Sequence, residues 1–255
     1  VSLVEYAAEN AVAVLTLNRP PVNALSGELV ADLEAAIADA GDPAIRAVVL
    51  TGAPHFAAGA DISEFKASMD SGTGGVLAER LSAAVLALEH LAKPVFAAVR
   101  GFALGGGLEL AMGCDFRYLG EGARVGQAEV KLGLIPGAGG TQRLPRLVGL
   151  ARARELIYSG RQVNAEEALA IGLADRVVAD AELLNATLAT AQEYATGPSA
   201  ALAAAKRALN QGWGLDLPAG LAVESGEFSA CFGTEDAVEG VNAFLEKRSA
   251  EFKGR

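Results

Sequence analysis

The sequence predicts an α/β protein whose strands pair in parallel. Short apolar runs of strand length alternate with segments whose apolar residues recur at three- and four-residue steps. The links between them are short, which suits strand–helix–strand crossovers. In addition, 51% of the 255 residues are hydrophobic and 20% charged, the composition of a chain that buries a sizeable core. Aromatics make up only 5% and much of the apolar content is alanine, so that core should depend on close approach of helices and strands.

Residues 12–18 (VAVLTLN) read as a strand, ended by Arg19-Pro20-Pro21. Ser26 is a good N-cap for a helix that carries Leu29, Leu33, Ala36 and Ile37 up to Gly41. Residues 46–51 form a short apolar run suited to a buried strand, and a Gly/Ala-rich loop over 52–61 follows it. The polar, glycine-rich residues 69–75 read as a surface loop. Leu77, Leu81, Val85, Leu88 and Leu91 mark a second helix, residues 94–99 a third strand, and residues 101–107 lead into a helix through Met112. From about Asn164 the signal is mostly helical, including residues 200–210 and 234–248. The division is placed near residue 195, between an α/β core (1–195) and a helical tail (196–255).

Composition removes several functions. With 31 acidic against 21 basic residues the net charge is -10, which argues against nucleic-acid binding. An anionic ligand would need local Arg, Lys or helix N-termini. Two cysteines without a CxxC pair, Cys114 and Cys231, predict small core residues and no disulfide. His55 and His90 cannot build a histidine-rich metal site and read as loop or surface groups. The most apolar stretch, residues 94–113, is broken by Arg100, Glu109 and several glycines, so no membrane span is expected. No basic-then-apolar leader is read, and the expected compartment is the cytoplasm.

The chemistry concentrates in three loops. In Gly105-Gly106-Gly107-Leu108-Glu109, consecutive glycines between a strand and a helix leave N–H groups that a ligand can approach, at the positive end of the helix dipole. Such groups can stabilise an oxyanion developing on a carbonyl; a tight strand-to-helix turn is the plainer alternative. Glu109 lies in the first turn among apolar neighbours. It is either a helix-terminal charge or a buried carboxylate with a task. Glu129 follows 20 residues later, before a second glycine-rich loop, residues 133–141. Two carboxylates sharing an apolar pocket repel, so one retains a proton near neutrality and the pair offers one base and one acid. The loop from His55 to Asp61 could supply another N–H, or be only a turn.

Taken in order and spacing, these segments resemble the enoyl-CoA hydratase/isomerase (crotonase) family. The residues concerned are Phe56-Ala57-Ala58-Gly59-Ala60-Asp61-Ile62, Lys93-Pro94-Val95 through Gly105-Gly106-Gly107-Leu108-Glu109, Gly126-Gln127-Ala128-Glu129 and Ile135-Pro136-Gly137-Ala138-Gly139-Gly140-Thr141-Gln142-Arg143. The resemblance runs from Asn23 to Arg248. It implies a spiral of ββα units with a C-terminal helical region that assembles trimers, often paired into hexamers. It further implies that the Ala60 and Gly106 N–H groups hold the thioester oxygen of an acyl-CoA, and that Glu109 and Glu129 are the catalytic pair. Gly137 would help hold the reacting water. Ala24, Ala57 and Ala58 would line the adenine and pantetheine path, with Asp61, Ile62 and Ser63 continuing the substrate-side loop. The implied reaction adds water to a trans-2-enoyl-CoA, with no cofactor beyond the CoA carried by the substrate.

The chain departs from the family pattern at three places. Ala128 stands where many hydratases have proline, Arg100 where asparagine is common, and the loop over residues 71–75 diverges. Lys247 and Arg248 fit either CoA phosphates or a solvated helix face; ordinary packing is the simpler reading of Phe228, Phe232 and Phe244. The nearest rival reaction is Δ3-Δ2 enoyl-CoA isomerisation, which can use one carboxylate. A hydrolase would need a nucleophile–base pair that no serine, cysteine or histidine supplies. A non-catalytic acyl-CoA or RNA-binding scaffold is disfavoured by retention of both glutamates and by the charge. A P-loop at residues 137–141 fails for want of the Walker lysine.

Overall fold

The computed structural model describes residues 2–73 and 75–255; Val1, and Gly74 of the divergent loop, lie outside the described residues. Strands β1 (Val4–Glu9), β2 (Val12–Leu17), β3 (Ala47–Gly52), β4 (Val95–Val99), β6 (Phe116–Gly120) and β9 (Arg176–Val178) form one sheet in the order β1-β2-β3-β4-β6-β9. The β1/β2 pair is an antiparallel hairpin and the remaining pairs are parallel. A smaller sheet joins β5 (Phe102–Leu104), β7 (Arg124–Gly126) and β8 (Val163–Asn164). Consecutive strands thus alternate between sheets, β4 with β5 and then β6 with β7, which is the ββα repeat.

Why the larger sheet sits at the centre is legible in its strands. In β3, Val48 and Leu50 face one apolar cluster while Ala47 and Val49 face another; in β4, Val95, Ala97 and Val99 alternate with Phe96 and Ala98 in the same way. The period of two places side chains on opposite faces, and apolar residues at every position bury both. The first face packs against α1 (Gly27–Asp39), α3 (Val76–His90) and α4 (Gly106–Met112). The second is covered by α8 (Leu183–Ala195) through Leu183, Ala191 and Ala195.

The expected helices and strands are present with small shifts at their ends. The elements not anticipated include strands β1, β5, β6, β7, β8 and β9 and the helix α2 (Ile62–Ser71), whose last residues occupy the start of the segment read as a loop. Three further short helices, α5 (Gly140–Val148), α6 (Leu150–Ser159) and α7 (Ala165–Ala170), lead to the tail. Beyond residue 195 the described elements are all helical: α9 (Ser199–Gly212), α10 (Leu217–Cys231) and α11 (Glu235–Glu246). A partly buried ion pair ties α9 to the core. Lys206 reaches Asp115 at 2.8 Å and the Lys93 carbonyl at 3.1 Å. In α10 no residue is buried, and its large apolar side chains face outward.

Candidate active site

The glycine triplet builds one wall of the site, and two of its members are required by geometry. Gly105 takes φ +51, and a Cβ there would sit 3.0 Å from Glu129 Oε1. A Cβ on Gly107 would run into the Ala57 carbonyl oxygen. Helix α4 therefore starts beside the 56–60 loop, with Gly106 as its first residue. Among the described residues no protein acceptor takes the N–H of Gly106 or of Ala60. The first follows from its position, because the opening N–H groups of a helix have no intrahelical partner. The two donors are neighbours: a Cβ on Gly106 would lie 3.9 Å from the Ala60 nitrogen.

Glu109 is 2% exposed. Its Oε1 accepts from the Ala138 and Gly140 N–H groups, both at 2.7 Å. The glycines of the 136–140 loop make this possible, since a Cβ on Gly140 would press on Pro136, Gln127 and Glu109 together. Burial pushes the Glu109 carboxyl up, against the pull of the Gly140 and Ala138 N–H groups, the Arg143 charge and, last, the Gly137 N–H.

Glu129 opens a 3₁₀ turn, Glu129–Leu132, and is half-buried. Desolvation raises its carboxyl to about 7, its own backbone N–H opposes this, and the charge of Glu109 adds to the rise. The two glutamates border one cavity although they lie 20 positions apart in the sequence.

Two supporting residues carry no site role in the sequence reading. Gln127 is buried, and with its amide nitrogen turned toward Glu129 it donates to Oε1 at 2.9 Å and Oε2 at 3.1 Å. A polar side chain in an otherwise apolar strand end, two residues from a candidate carboxylate, was the available signal. Arg143 donates to the Ala138 carbonyl at 3.2 Å and to Glu89 of α3 through Nε at 3.0 Å, holding the 136–140 loop against that helix. Nothing local in the sequence announces that partnership.

The glutamates and the free N–H groups meet on a cavity of about 460 Å³. Ala58, Ala60, Ile62, Gly106, Glu109, Glu129 and Gly137 all border it. Gly137 is on the wall, but the N–H groups bonded to Glu109 are those of Ala138 and Gly140. Ala24, Ala57, Asp61 and Ser63 do not border the cavity. Ala57 is fully buried and bridges to Ala103. The Asp61 carboxylate caps α2 by accepting from the Ser63 N–H at 3.0 Å and hydroxyl at 2.6 Å, and it pairs with Arg19 at 2.6 Å. Arg19 in turn donates to the Ala24 carbonyl at 3.0 Å. The Ser63 hydroxyl first, and Arg19 with it, hold Asp61 below the usual carboxylate range.

His55 and Arg100 also do structural work. The His55 ring stacks on Phe102 and its Nδ1 accepts from the Phe102 N–H at 3.2 Å, which steadies β5 ahead of the glycines. Arg100 donates to the Asp180 carbonyl at 2.7 Å. Cys114 is buried and Cys231 partly so, and neither is in a disulfide. Among the described residues no group of three or more His, Cys, Asp or Glu side chains could hold a metal ion.

Two neighbouring N–H groups without a protein acceptor, beside two carboxylates with raised proton affinity in an apolar cavity, suit an acid–base site for a carbonyl compound. The wider comparisons agree. The chain belongs to the enoyl-CoA hydratase/isomerase family, whose model matches residues 7–255. It is 44% identical over 254 residues to a short-chain-enoyl-CoA hydratase of Clostridium acetobutylicum, covering 97% of this chain and 96% of that one. It is also 44% identical over 250 residues to a 2,3-dehydroadipyl-CoA hydratase of Escherichia coli, with 96% of both covered. Among solved structures, an enoyl-CoA hydratase from Bacillus anthracis superposes with a TM-score of 0.94 at 38% identity, over 99% of this chain and 100% of that one. The fold is accordingly that of the crotonases.

Proposed function

We propose that this site hydrates trans-2-enoyl-CoA to 3-hydroxyacyl-CoA by two-glutamate chemistry. One observation carries the reading: two glutamates in unlike environments face the cavity on which two unclaimed N–H groups open. The Ala60 and Gly106 N–H groups donate to the thioester carbonyl oxygen, drawing charge from the conjugated β-carbon and stabilising the enolate-like transition state. Losing one such donor typically costs about 3 kcal/mol. Glu109, favoured as the anion by two N–H bonds on one oxygen, takes the proton from water as the water oxygen bonds to the β-carbon. Glu129, whose carboxyl is raised to about 7, delivers its proton to the α-carbon. Gly137 borders the place of that water. No cofactor is required, because the substrate brings its own CoA.

Isomerisation of a Δ3 double bond needs only one shuttling carboxylate and leaves the second unexplained. The CoA moiety is assigned to the side of Ala24, Ala57, Ala58, Asp61, Ile62 and Ser63. Residues 196–255 are assigned to homotrimer or hexamer assembly, resting on the unburied α10, and residues 1–195 to the catalytic core. A cytoplasmic enzyme fits these assignments; among the described residues no helix is long and apolar enough to cross a membrane. The test follows loss of enoyl-thioester absorbance with crotonyl-CoA. Glu109→Gln and Glu129→Gln should each lower kcat by at least about a hundredfold, and near-parent rates in both would sink the two-glutamate account.

A further inference from the structure

The cavity wall is uneven in its chemistry. Among the described residues its charged side chains are Glu109 and Glu129, both acidic. Helices α2 and α3 contribute Phe65, Met69, Leu77, Ala78 and Leu81, and Ile135 faces them. This apolar face adjoins the reacting centre at two points. A Cβ on Gly106 would lie 2.8 Å from Leu81 Cδ2, and one on Gly137 would lie 3.1 Å from Ala78 Cβ. An acyl chain with its thioester oxygen on Ala60 and Gly106 and its double bond beside the glutamates therefore passes onto the α2/α3 face after the third carbon.

The nearby cations are committed elsewhere. Arg143 is bound to Glu89 and the Ala138 carbonyl, and Arg80 to Glu34 at 2.7 Å. Lys66 of α2 is exposed and does not border the cavity. Burying an ion without a partner is unfavourable, and like charges in a poorly polarisable wall repel.

Resting on the hydration reading above, we propose that the site selects enoyl-CoA substrates with an uncharged hydrocarbon tail and rejects those ending in a carboxylate. A terminal carboxylate on the sixth carbon would stand about 4 Å beyond the third, at three carbon–carbon bonds. There it would meet the α2/α3 face and the field of whichever glutamate is ionised. Family membership does not decide this point, since the Escherichia coli relative is named for an acyl chain that ends in a carboxylate. The wall decides it.

A matched pair of substrates isolates the charge: trans-2-hexenoyl-CoA and 2,3-dehydroadipyl-CoA share six acyl carbons and differ only in methyl against carboxylate at the end. With the full chain, kcat/KM should favour the hexenoyl substrate by about a hundredfold. Met69→Lys puts a cation of similar length on this wall at a position 62% exposed, so folding should tolerate it. That variant should narrow the preference by about tenfold, whereas Met69→Gln should leave it unchanged. Calorimetric titration with the saturated pair, hexanoyl-CoA and adipyl-CoA, reads the same preference without turnover. Hydration of crotonyl-CoA with equal use of both six-carbon substrates would overturn the selectivity and leave the hydration reading standing. Failure to hydrate crotonyl-CoA would remove that reading, and the titration would then decide the charge preference: tighter hexanoyl-CoA binding supports it and equal binding overturns it.

Discussion

Glu109 and Glu129 are chemically identical side chains whose surroundings separate them. Glu109 is closed in and receives two N–H bonds on one oxygen, while Glu129 is less buried and faces Gln127. Both are raised by desolvation, and the charge of Glu109 raises Glu129 further, so the working state proposed above has Glu109 ionised and Glu129 protonated. Above about 7 that proton is lost from Glu129 and the acid is missing; at low pH a second proton reaches Glu109 and the base is missing. We expect a bell-shaped kcat/KM that falls on the alkaline side of about 7. The equilibrium between enoyl and hydroxyacyl thioesters exchanges no proton with solvent, so hydration and dehydration should share one profile. Initial rates in both directions across the pH range check this, and a flat alkaline limb would remove Glu129 as the acid. The sequence carried both glutamates and the glycines beside them. It did not carry their order of acidity, which depends on burial and on which N–H groups fold against which oxygen.

Helix α2 has no buried residue and depends on its N-terminus for its direction. Asp61 caps it, and the same carboxylate holds Arg19, which holds the Ala24 carbonyl. The Ala60 donor is the residue just before this cap. Asp61→Ala should lower stability by about 1 kcal/mol, the usual worth of an N-cap, and should raise KM more than it lowers kcat because the wall formed by Ile62, Phe65 and Met69 loosens. Urea unfolding followed by circular dichroism and steady-state kinetics with crotonyl-CoA check the two parts. Asp61→Asn, which keeps a capping oxygen, should recover most of the stability. Such elements explain the uneven legibility of the fold. Buried on both faces, β3 and β4 announce themselves by unbroken apolar runs. Of α2, β5 and β9, the helix packs few side chains and the strands are three residues long, so their local signal is weak and tertiary contacts define them. The exposed outer residues of β1 make it an edge strand that exists only because β2 pairs with it.

The whole molecule leaves one surface unfinished. Leu217 is 74% exposed, Phe232 71% and Phe244 83%, all in the last third of the chain. Large exposed apolar side chains are candidates for an interaction site, and on the assembly proposed above other copies of this chain would cover them. Sedimentation of the parent at micromolar concentration should give a trimer or a hexamer. Leu217→Glu combined with Phe232→Glu should shift it toward monomer and leave the far-ultraviolet circular dichroism unchanged; a parent that sediments as a monomer would refute the assembly. Local patterns carried the alternation of strands and helices, the glycine loops and both glutamates, because each is written in neighbouring residues and in backbone freedom. Tertiary structure alone decided that Gln127 lies against Glu129 and Arg143 against the 136–140 loop, that Asp61 pairs with Arg19 and His55 stacks on Phe102, and that the α2/α3 side of the cavity is apolar and free of cations among the described residues. Several of these depend on residues distant in the chain, such as Asp61 with Arg19 and Arg143 with Glu89, and burial and charge separation are set only when they meet.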